Sequence, residues 1–380
     1  MQDSVYQRCT RCVMDTTDPE ITFDENGFCN HCNYAFNNFN THVLSGVAGK
    51  RRISSKVSEI KARNKRKKYD VIMGLSGGVD SSYAVSLAHS LGLRILAVHC
   101  DTGWNSEEAT HNVHSLVNKL GIDLHTEVIN WETMRELQAA FFKASVPNCD
   151  IPQDHAIVAV NNRIAAKYGV KDFITGGNFV GESIFPSAWG YDARDLRHLK
   201  AISKIFGNGD LKGFPTFNGF IQYFWSPFVL GIKNYRILND ADYNPILAKQ
   251  ELIEQYGWKD YGGKHHESVF TRFYQAYYLP EKFGFDKRKI HLSSLIVSGL
   301  VSRNEALLEL EKPLYDERQL RSDKKFFLSK LGFSSSDWDL IMKQDAKKHT
   351  DFPTNLYWKQ YLQRLKVFLE KNGKRVRRSW

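Results

Sequence analysis

The stretch Val71–Gly92, VIMGLSGGVDSSYAVSLAHSLG, decides the fold. Before it, YDVIMGL (Tyr69–Leu75) is a buried-strand pattern; after it, Tyr83, Ala84, Leu87, Ala88 and Leu91 recur at helical spacing, with Gly92 as a stop. Ser76–Ser82 is therefore a strand-to-helix turn. Such a turn aims free backbone N–H groups and the positive end of a helix dipole at one point, which suits a phosphate. Gly77 and Gly78 allow close backbone approach, and Ser76, Ser81 and Ser82 add hydroxyl donors. Asp80 would repel a phosphate directly, so it is read as a helix N-cap or as a ligand for the Mg2+ that accompanies a polyphosphate. No Lys follows the second glycine, so this is not the G-x4-G-K-[ST] loop.

Outward from the turn, strands and helices alternate. RILAVHCDTG (Arg94–Gly103) reads as a strand with Asp101 at its carboxyl end, followed by a helix through Val113, Leu116, Val117 and Leu120. The strand DLHTEVI (Asp123–Ile129) follows, then helices over about Glu132–Ala144 and His155–Tyr168, then the strand KDFITGGN (Lys171–Asn178). This order predicts an α/β domain with a parallel sheet, its ligands held at the strand carboxyl ends.

SGGVDS (Ser76–Ser81) resembles the PP-loop of the ATP pyrophosphatases. The resemblance implies a Rossmann-like, adenine nucleotide alpha-hydrolase-like domain that grips the pyrophosphate of ATP, with Mg2+, and transfers AMP to a substrate oxygen. TGGN (Thr175–Asn178) is similar to the turn that contacts ATP in NAD synthetase, which implies cofactor contacts at Gly176, Gly177 and Asn178 beside Ser76, Gly77, Gly78, Asp80, Ser81, Ser82 and Asp101.

CTRC (Cys9–Cys12) and CNHC (Cys29–Cys32) give two C-x2-C knuckles at the spacing of a four-thiolate zinc site. The residues between them read as a short hairpin turning at Asn26-Gly27, too small to hold together without metal. Two disulfides and an iron–sulfur cluster are the alternatives. Four thiolates saturate a tetrahedral ion, so Cys9, Cys12, Cys29 and Cys32 are read as a structural zinc-ribbon module.

The bulk numbers bound the rest. The 380 residues, 42% hydrophobic and 13% aromatic, suffice for two or three domains with real cores. No apolar run reaches the ~18 residues of a membrane span, and the first residues lack the layout of a secretory signal, so a cytoplasmic enzyme is expected. The net charge of +10 is concentrated: Lys50–Lys68 holds ten Lys or Arg against Glu59 alone. Such a run favours a solvated linker or helix face over a nucleic-acid partner.

A second distinctive block runs from Trp258 to Leu310. It collects Gly262-Gly263, Lys264, His265, His266, Glu267, Arg272, Lys282, Asp286, Lys287, Arg288 and His291 beside Phe270, Phe273, Tyr274, Tyr277 and Tyr278. This pattern suits helices that pack on one face and line a charged cleft on the other, where Lys and Arg neutralise phosphate charge as it builds. Elsewhere, His155 beside Asp154 in IPQDHAI is read as a group that orients substrate or shuttles a proton, or as a packed histidine at a capped helix start. Trp189–Ile232, rich in aromatics and glycine, is read as a wall or lid.

Together, the paired CxxC, the PP-loop, TGGN and GGKHHES…DKRKIHLS resemble the N-acetyl sugar amidotransferase family of bacterial surface-polysaccharide synthesis, over most of the chain to about Leu310. This implies conversion of an acetamido group on a nucleotide-linked sugar, such as a UDP-diacetamido-uronic acid of lipopolysaccharide O-antigen, to an acetamidino group. Asp80, Lys264, Lys287, Arg288 and His155 are read as catalytic, Lys264 and the pair Lys287-Arg288 meeting phosphate or transition-state charge, and Glu182, His265, Arg272 and His291 as substrate contacts, with Glu182 alternatively holding Mg2+ or guiding ammonia. Cys100 and Cys149 lie in no glycine-flanked nucleophile elbow. Ammonia is thus expected from a separate glutaminase through a barrel-type ammonia-conducting subunit. The expected organisation is a four-cysteine zinc-binding module (1–45), a basic linker or helix (46–68), the PP-loop domain (69–240) and a mainly helical region (241–380) that contributes to the active site. The rival is a PP-loop tRNA-modifying enzyme of thiolase type, which needs a sulfur-carrying cysteine or cluster near the loop.

Overall fold

The computed structural model describes residues 6–218, 231–262, 268–358 and 360–361. At its centre is a five-stranded sheet: β1 (Val71–Gly74), β2 (Ile95–Asp101), β3 (Asp123–Val128), β4 (Asp172–Thr175) and β5 (Lys233–Arg236). The order is β3-β2-β1-β4-β5 with every pairing parallel. The chain winds outward in one direction from β1 and in the other from β4, so a crevice opens between these two strands at their carboxyl ends, where open α/β sheets take their ligands. Both glycine turns, Ser76–Ser82 and Gly176–Asn178, emerge there.

Alternation along the strands feeds two cores. Val71, Met73, Ile95 and Ala97 pack on one face against α2 (Gly46–Asn64), α3 (Val79–Ser90), α4 (Glu107–Leu120) and α9 (Pro245–Tyr256). Ile72, Leu96 and Val98 face the other way onto α5 (Trp131–Lys143) and α6 (Ile151–Tyr168). The basic stretch forms α2, which buries Ile53, Val57 and Ile60 and ties its Arg63 to buried Asp172 at 2.6 Å. Local signals set the ends: Ser106 caps α4 by accepting from Ala109 N at 3.1 Å, and Gly121 closes it in the left-handed region. Helix α6 begins at Ile151, four residues before the expected start, because Pro152 is tolerated in a first turn. Strand β5 carries no expectation from sequence; KNYR is a polar edge strand without the apolar alternation that marks a buried one.

Short α7 (Phe179–Glu182) and α8 (Leu196–Phe206) follow β4. The region after α9 is helical: α10 (Val269–Phe273), a π-helical turn (Tyr274–Tyr278), α11 (Leu279–Phe283), α12 (Arg288–Val297), α13 (Arg303–Glu311), α14 (Glu317–Leu331) and α15 (Ser335–Lys343). Trp104, from the loop after β2, inserts among Phe270 and Phe327, while Phe142 of α5 packs on Tyr278, Phe327 and Trp338, so the helical region shares a core with the sheet domain. The N-terminal module contains α1 (Asn30–His42) and two knuckles. Among the described residues it has only isolated antiparallel bridges, Arg8 with Asp15 and Phe23 with Cys29, rather than the expected hairpin ladder. No described helix is long and apolar enough to cross a membrane.

Candidate active site

The turn after β1 is built to expose its backbone. Gly77 sits at φ +87°, and a Cβ there would stand 2.6 Å from the Ala109 carbonyl oxygen, so only glycine fits. Ser76 and Ser81 hydroxyls meet at 3.1 Å, Gly78 N donates to Ser76 Oγ at 3.2 Å, and Ser81 Oγ donates to the Gly78 carbonyl at 3.2 Å. Two distant residues brace this arrangement from behind. Trp258 Nε1 donates to the Gly77 carbonyl at 3.0 Å, and His99 Nδ1 donates to the Leu75 carbonyl at 2.8 Å.

Gly78 is the N-cap of α3, and Asp80 stands in the first turn, which corrects the cap reading of Asp80. Its carboxylate accepts from the buried Tyr243 hydroxyl. Burial, then the Asp80 charge, hold the Tyr243 phenol well above its usual range, so Tyr243 remains a donor. Ser82 does not line the turn: it is fully buried, its hydroxyl without a partner among the described residues.

The second turn packs directly on the first. A Cβ on Gly176 would lie 2.6 Å from the Asp80 carbonyl carbon and 2.7 Å from Ser81 N. Asn178 is buried with its side chain engaged in the turn, accepting from Gly181 N at 2.8 Å and donating to the Gly176 carbonyl at 3.2 Å. It shapes the turn rather than facing a ligand. Glu182 Oε2 accepts from Asn178 N at 3.3 Å. His291 Nδ1 donates to the Gly181 carbonyl at 3.1 Å and Ser294 Oγ accepts from Ile184 N at 3.1 Å, so α12 lies against α7 at the edge of the crevice. Asp101, at the end of β2, accepts from Gly103 N at 2.8 Å and Asn105 Nδ2 at 3.3 Å.

Several residues expected at the chemistry are engaged elsewhere. Arg288 makes a two-pronged pair with Asp286 and donates to the carbonyls of Glu309, Leu310 and Lys312 at the end of α13. Arg272 is paired with Asp323 at 2.7 Å. His155 is fully buried, Nδ1 donating to the Ala193 carbonyl at 2.7 Å and Nε2 accepting from Phe217 N at 3.0 Å; burial lowers its pKa, so it is a neutral packed histidine rather than a proton shuttle. Lys287 lies 3.8 Å from Asp150 and 5.4 Å from the Tyr274 ring. Lys264 and His265 lie outside the described residues.

The four cysteines are buried, with their Sγ atoms all within 4.8 Å of one another. Cys9–Cys32 and Cys12–Cys29 stand 3.6 Å apart, far beyond a disulfide bond and close to the ~3.8 Å edge of a tetrahedron with Zn–S of ~2.3 Å. Backbone N–H groups of Cys12 and Cys29 point at Cys9 Sγ, and that of Cys32 at Cys29 Sγ. The donor set therefore fits a structural zinc. The knuckles dock on α12 and α13: Arg303 donates to the Cys12 and Cys9 carbonyls at 3.1 and 3.0 Å, and Lys289 pairs with buried Asp15 at 2.6 Å. Of the remaining thiols, burial and then Glu127 push Cys100 up to about 12, and burial pushes Cys149 well above its ordinary value. Neither is a ready thiolate.

The parallel sheet with two glycine turns at its switch point defines an ATP-using enzyme of PP-loop type. Residues 52–167 match the family model for NAD synthase, and residues 267–366 that for the C-terminal domain of WbpG-like LPS biosynthesis protein. One chain thus joins an NAD-synthase-like PP-loop segment to a WbpG-like LPS-biosynthesis domain. Similar solved structures include NMN synthetase from Francisella tularensis, 21% identical over 34% of this chain and 55% of that one with a TM-score of 0.27. They also include the NH3-dependent NAD synthetase from Campylobacter jejuni, 20% identical over 34% and 57% with a TM-score of 0.26. The U34-tRNA thiolase NcsA from Methanococcus maripaludis, with its [4Fe-4S] cluster, is 14% identical over 79% and 90% with a TM-score of 0.31. The chain thus spans little more than half the length of the two synthetases, and at these scores none of the three bears on its reaction. No curated protein sequence matches the chain.

Signals for some of this site are absent from the local sequence. His99, Tyr243 and Trp258 brace the turns through contacts across 24, 163 and 181 residues. Only Trp258 lies in a segment whose composition draws notice, at the head of WKDYGG.

Proposed function

We propose that the chain is an AMP-forming amidotransferase that converts the acetamido group of a nucleotide-linked sugar, of UDP-diacetamido-uronic acid type, to an acetamidino group. The observation that carries this reading is one chain joining a PP-loop crevice to a WbpG-like domain, with α12 of that domain against α7 beside Glu182.

An amide carbon is too poor an electrophile for ammonia. In the proposed reaction the amide oxygen attacks the α-phosphate of ATP, the bond to pyrophosphate breaks, and an O-adenylyl imidate forms. The Gly77 backbone N–H and the hydroxyls of Ser76 and Ser81 hold the departing pyrophosphate. Asp80 and Asp101 would hold Mg2+, which when bound neutralises the phosphate oxygens. Ammonia then adds to the imidate carbon and AMP leaves with the former amide oxygen. With no thiol in a nucleophile elbow, we propose that ammonia comes from a separate glutaminase through an ammonia-conducting subunit, and that the enzyme works in the cytoplasm on O-antigen precursors.

The test is mass spectrometry of UDP-diacetamido sugars incubated with the protein, ATP, Mg2+ and an ammonium salt. The expected product has NH in place of one oxygen, formed in step with AMP and pyrophosphate. Absence of that product across a broad set of acetamido sugars would overturn the reading.

A further inference from the structure

At the carboxyl end of β5, between α6 and the segment around Phe185–Arg194, lies an open cavity of about 710 Å³. Asp154, Ile157, Phe185, Arg194 and Arg236 are among the residues that line it. Its volume falls within the ~300–1,000 Å³ of small-molecule sites, enough for a sugar with part of a nucleotide.

Two independent features give this cavity a chemical character. The first is Arg236, the last residue of β5. It is exposed, and among the described residues its side chain forms no hydrogen bond or ion pair, whereas Arg194 is paired with Asp192 through two bonds of 2.6 and 3.0 Å. Arg236 Nε lies 3.8 Å from where a Cβ on Gly177 would stand, and Glu182 Oε2 lies 3.7 Å from the same point. The neighbouring glycine, Gly176, abuts Asp80 and Ser81. One residue therefore separates this guanidinium from the turn packed on the PP-loop. The second feature is apolar. Phe185 is 55% exposed at the cavity, its ring so close over Gly190 that a Cβ there would stand 2.4 Å from it. The Lys287 ammonium lies 5.9 Å from that ring, and Ile157 of α6 is 36% exposed. An exposed aromatic face fixed against a glycine is a platform for a sugar or a base, and a guanidinium fork beside it matches a carboxylate or phosphate.

We propose that this cavity is the acceptor subsite, in which Arg236 selects an acidic sugar nucleotide by holding its anionic group and Phe185 supports its ring. Asp154, on the α6 wall, offers an acceptor to sugar hydroxyls. The inference rests on the amidotransferase reading and adds to it the residue that sets substrate charge.

The experiment compares wild type, Arg236→Gln, Arg236→Lys and Phe185→Ala, using a UDP-diacetamido-uronic acid and a neutral UDP-diacetamido hexose. It reads kcat and KM for each sugar and for ATP, with direct calorimetric binding of both sugars. Arg236→Gln is expected to raise KM for the acidic sugar at least tenfold and to weaken its binding equally, with KM for ATP within twofold of wild type. Arg236→Lys should recover part of the loss, and Phe185→Ala should weaken both sugars. A penalty seen only with the acidic sugar assigns Arg236 to its carboxylate; an equal penalty with both sugars would overturn the selection of substrate charge by Arg236. Turnover with KM and binding indifferent to Arg236 would overturn the subsite and leave the proposed reaction standing. Binding that depends on Arg236 without any amidine product would do the reverse, and no binding by wild type would overturn both.

Discussion

The turn Ser76–Ser81 and the segment Asp286–Ser293 are both dense in polar residues, yet they use them in opposite ways. In the first, the polar groups serve the turn itself: Gly78 N and the hydroxyls of Ser76 and Ser81 bond within it, and Gly77 takes the left-handed conformation that carries the backbone past Ala109. In the second, the charges face inward, with Arg288 on carbonyls of α13, Lys289 on Asp15 and His291 on the Gly181 carbonyl. A phosphate-binding turn is a local object whose geometry follows from a few adjacent residues. A cluster of charges acquires its meaning only from partners elsewhere in the chain.

Replacing the turn's groups should give the largest effect. Ser76→Ala and Asp80→Ala are each expected to reduce turnover about 100-fold or more; the melting temperature should change little for exposed Ser76, whereas Asp80→Ala also strips the buried Tyr243 hydroxyl of its acceptor and should lower it. If pyrophosphate release by both variants equalled that of wild type, the contrast would collapse.

The charged segment should answer the same assay differently. Arg272→Ala leaves Asp323, only 5% exposed, without its guanidinium, and should destabilise the fold by about 3 kcal/mol in urea unfolding. Arg288→Ala should cost about 2 kcal/mol through its lost carbonyl contacts. For both, the kcat of the protein that remains folded should stay near wild type; a selective loss of kcat would return these arginines to the chemistry.

A further effect concerns pH. His198, fully buried against His349 and Asp195, is held down at about 3, by burial first and the His349 ring second. A histidine whose folded pKa lies below its unfolded value near 6.5 favours the native state while neutral. Its contribution is thus lost as pH falls from about 6.5 toward about 3, at no more than about 1.4 kcal/mol per pH unit. Asp195, held at about 2 despite its burial by bonds from His349 and Thr354, adds a loss that begins only below about pH 4. His198→Gln should flatten the stability profile between pH 6.5 and 4, and an unchanged slope would contradict this origin.

These differences explain what can be read in advance. Four of the five strands, the helices between them and both glycine turns are legible, because apolar alternation and glycine placement are local. The four-cysteine cluster is legible because its spacing encodes its geometry. Strand β5, and with it Arg236, escapes because a polar edge strand carries no apolar period. His155 is misplaced from sequence because a histidine's neighbours along the chain do not reveal that Ala193 and Phe217 will occupy both its nitrogens. Arg288 and Arg272 are misplaced for the same reason, their partners lying up to 24 and 51 residues away.

The docking of the cysteine knuckles has a consequence for how the molecule comes into being. Arg303 reaches the Cys12 and Cys9 carbonyls across 291 and 294 residues, an interval a ribosome takes roughly 15–60 s to synthesise. The knuckles emerge well before α12 and α13, whose residues Lys289 and Arg303 hold them. During that interval, a metal ion held by the four thiols would keep them from oxidation or mispairing. Metal supply during translation, rather than during catalysis, is where this chain is expected to be most sensitive to zinc.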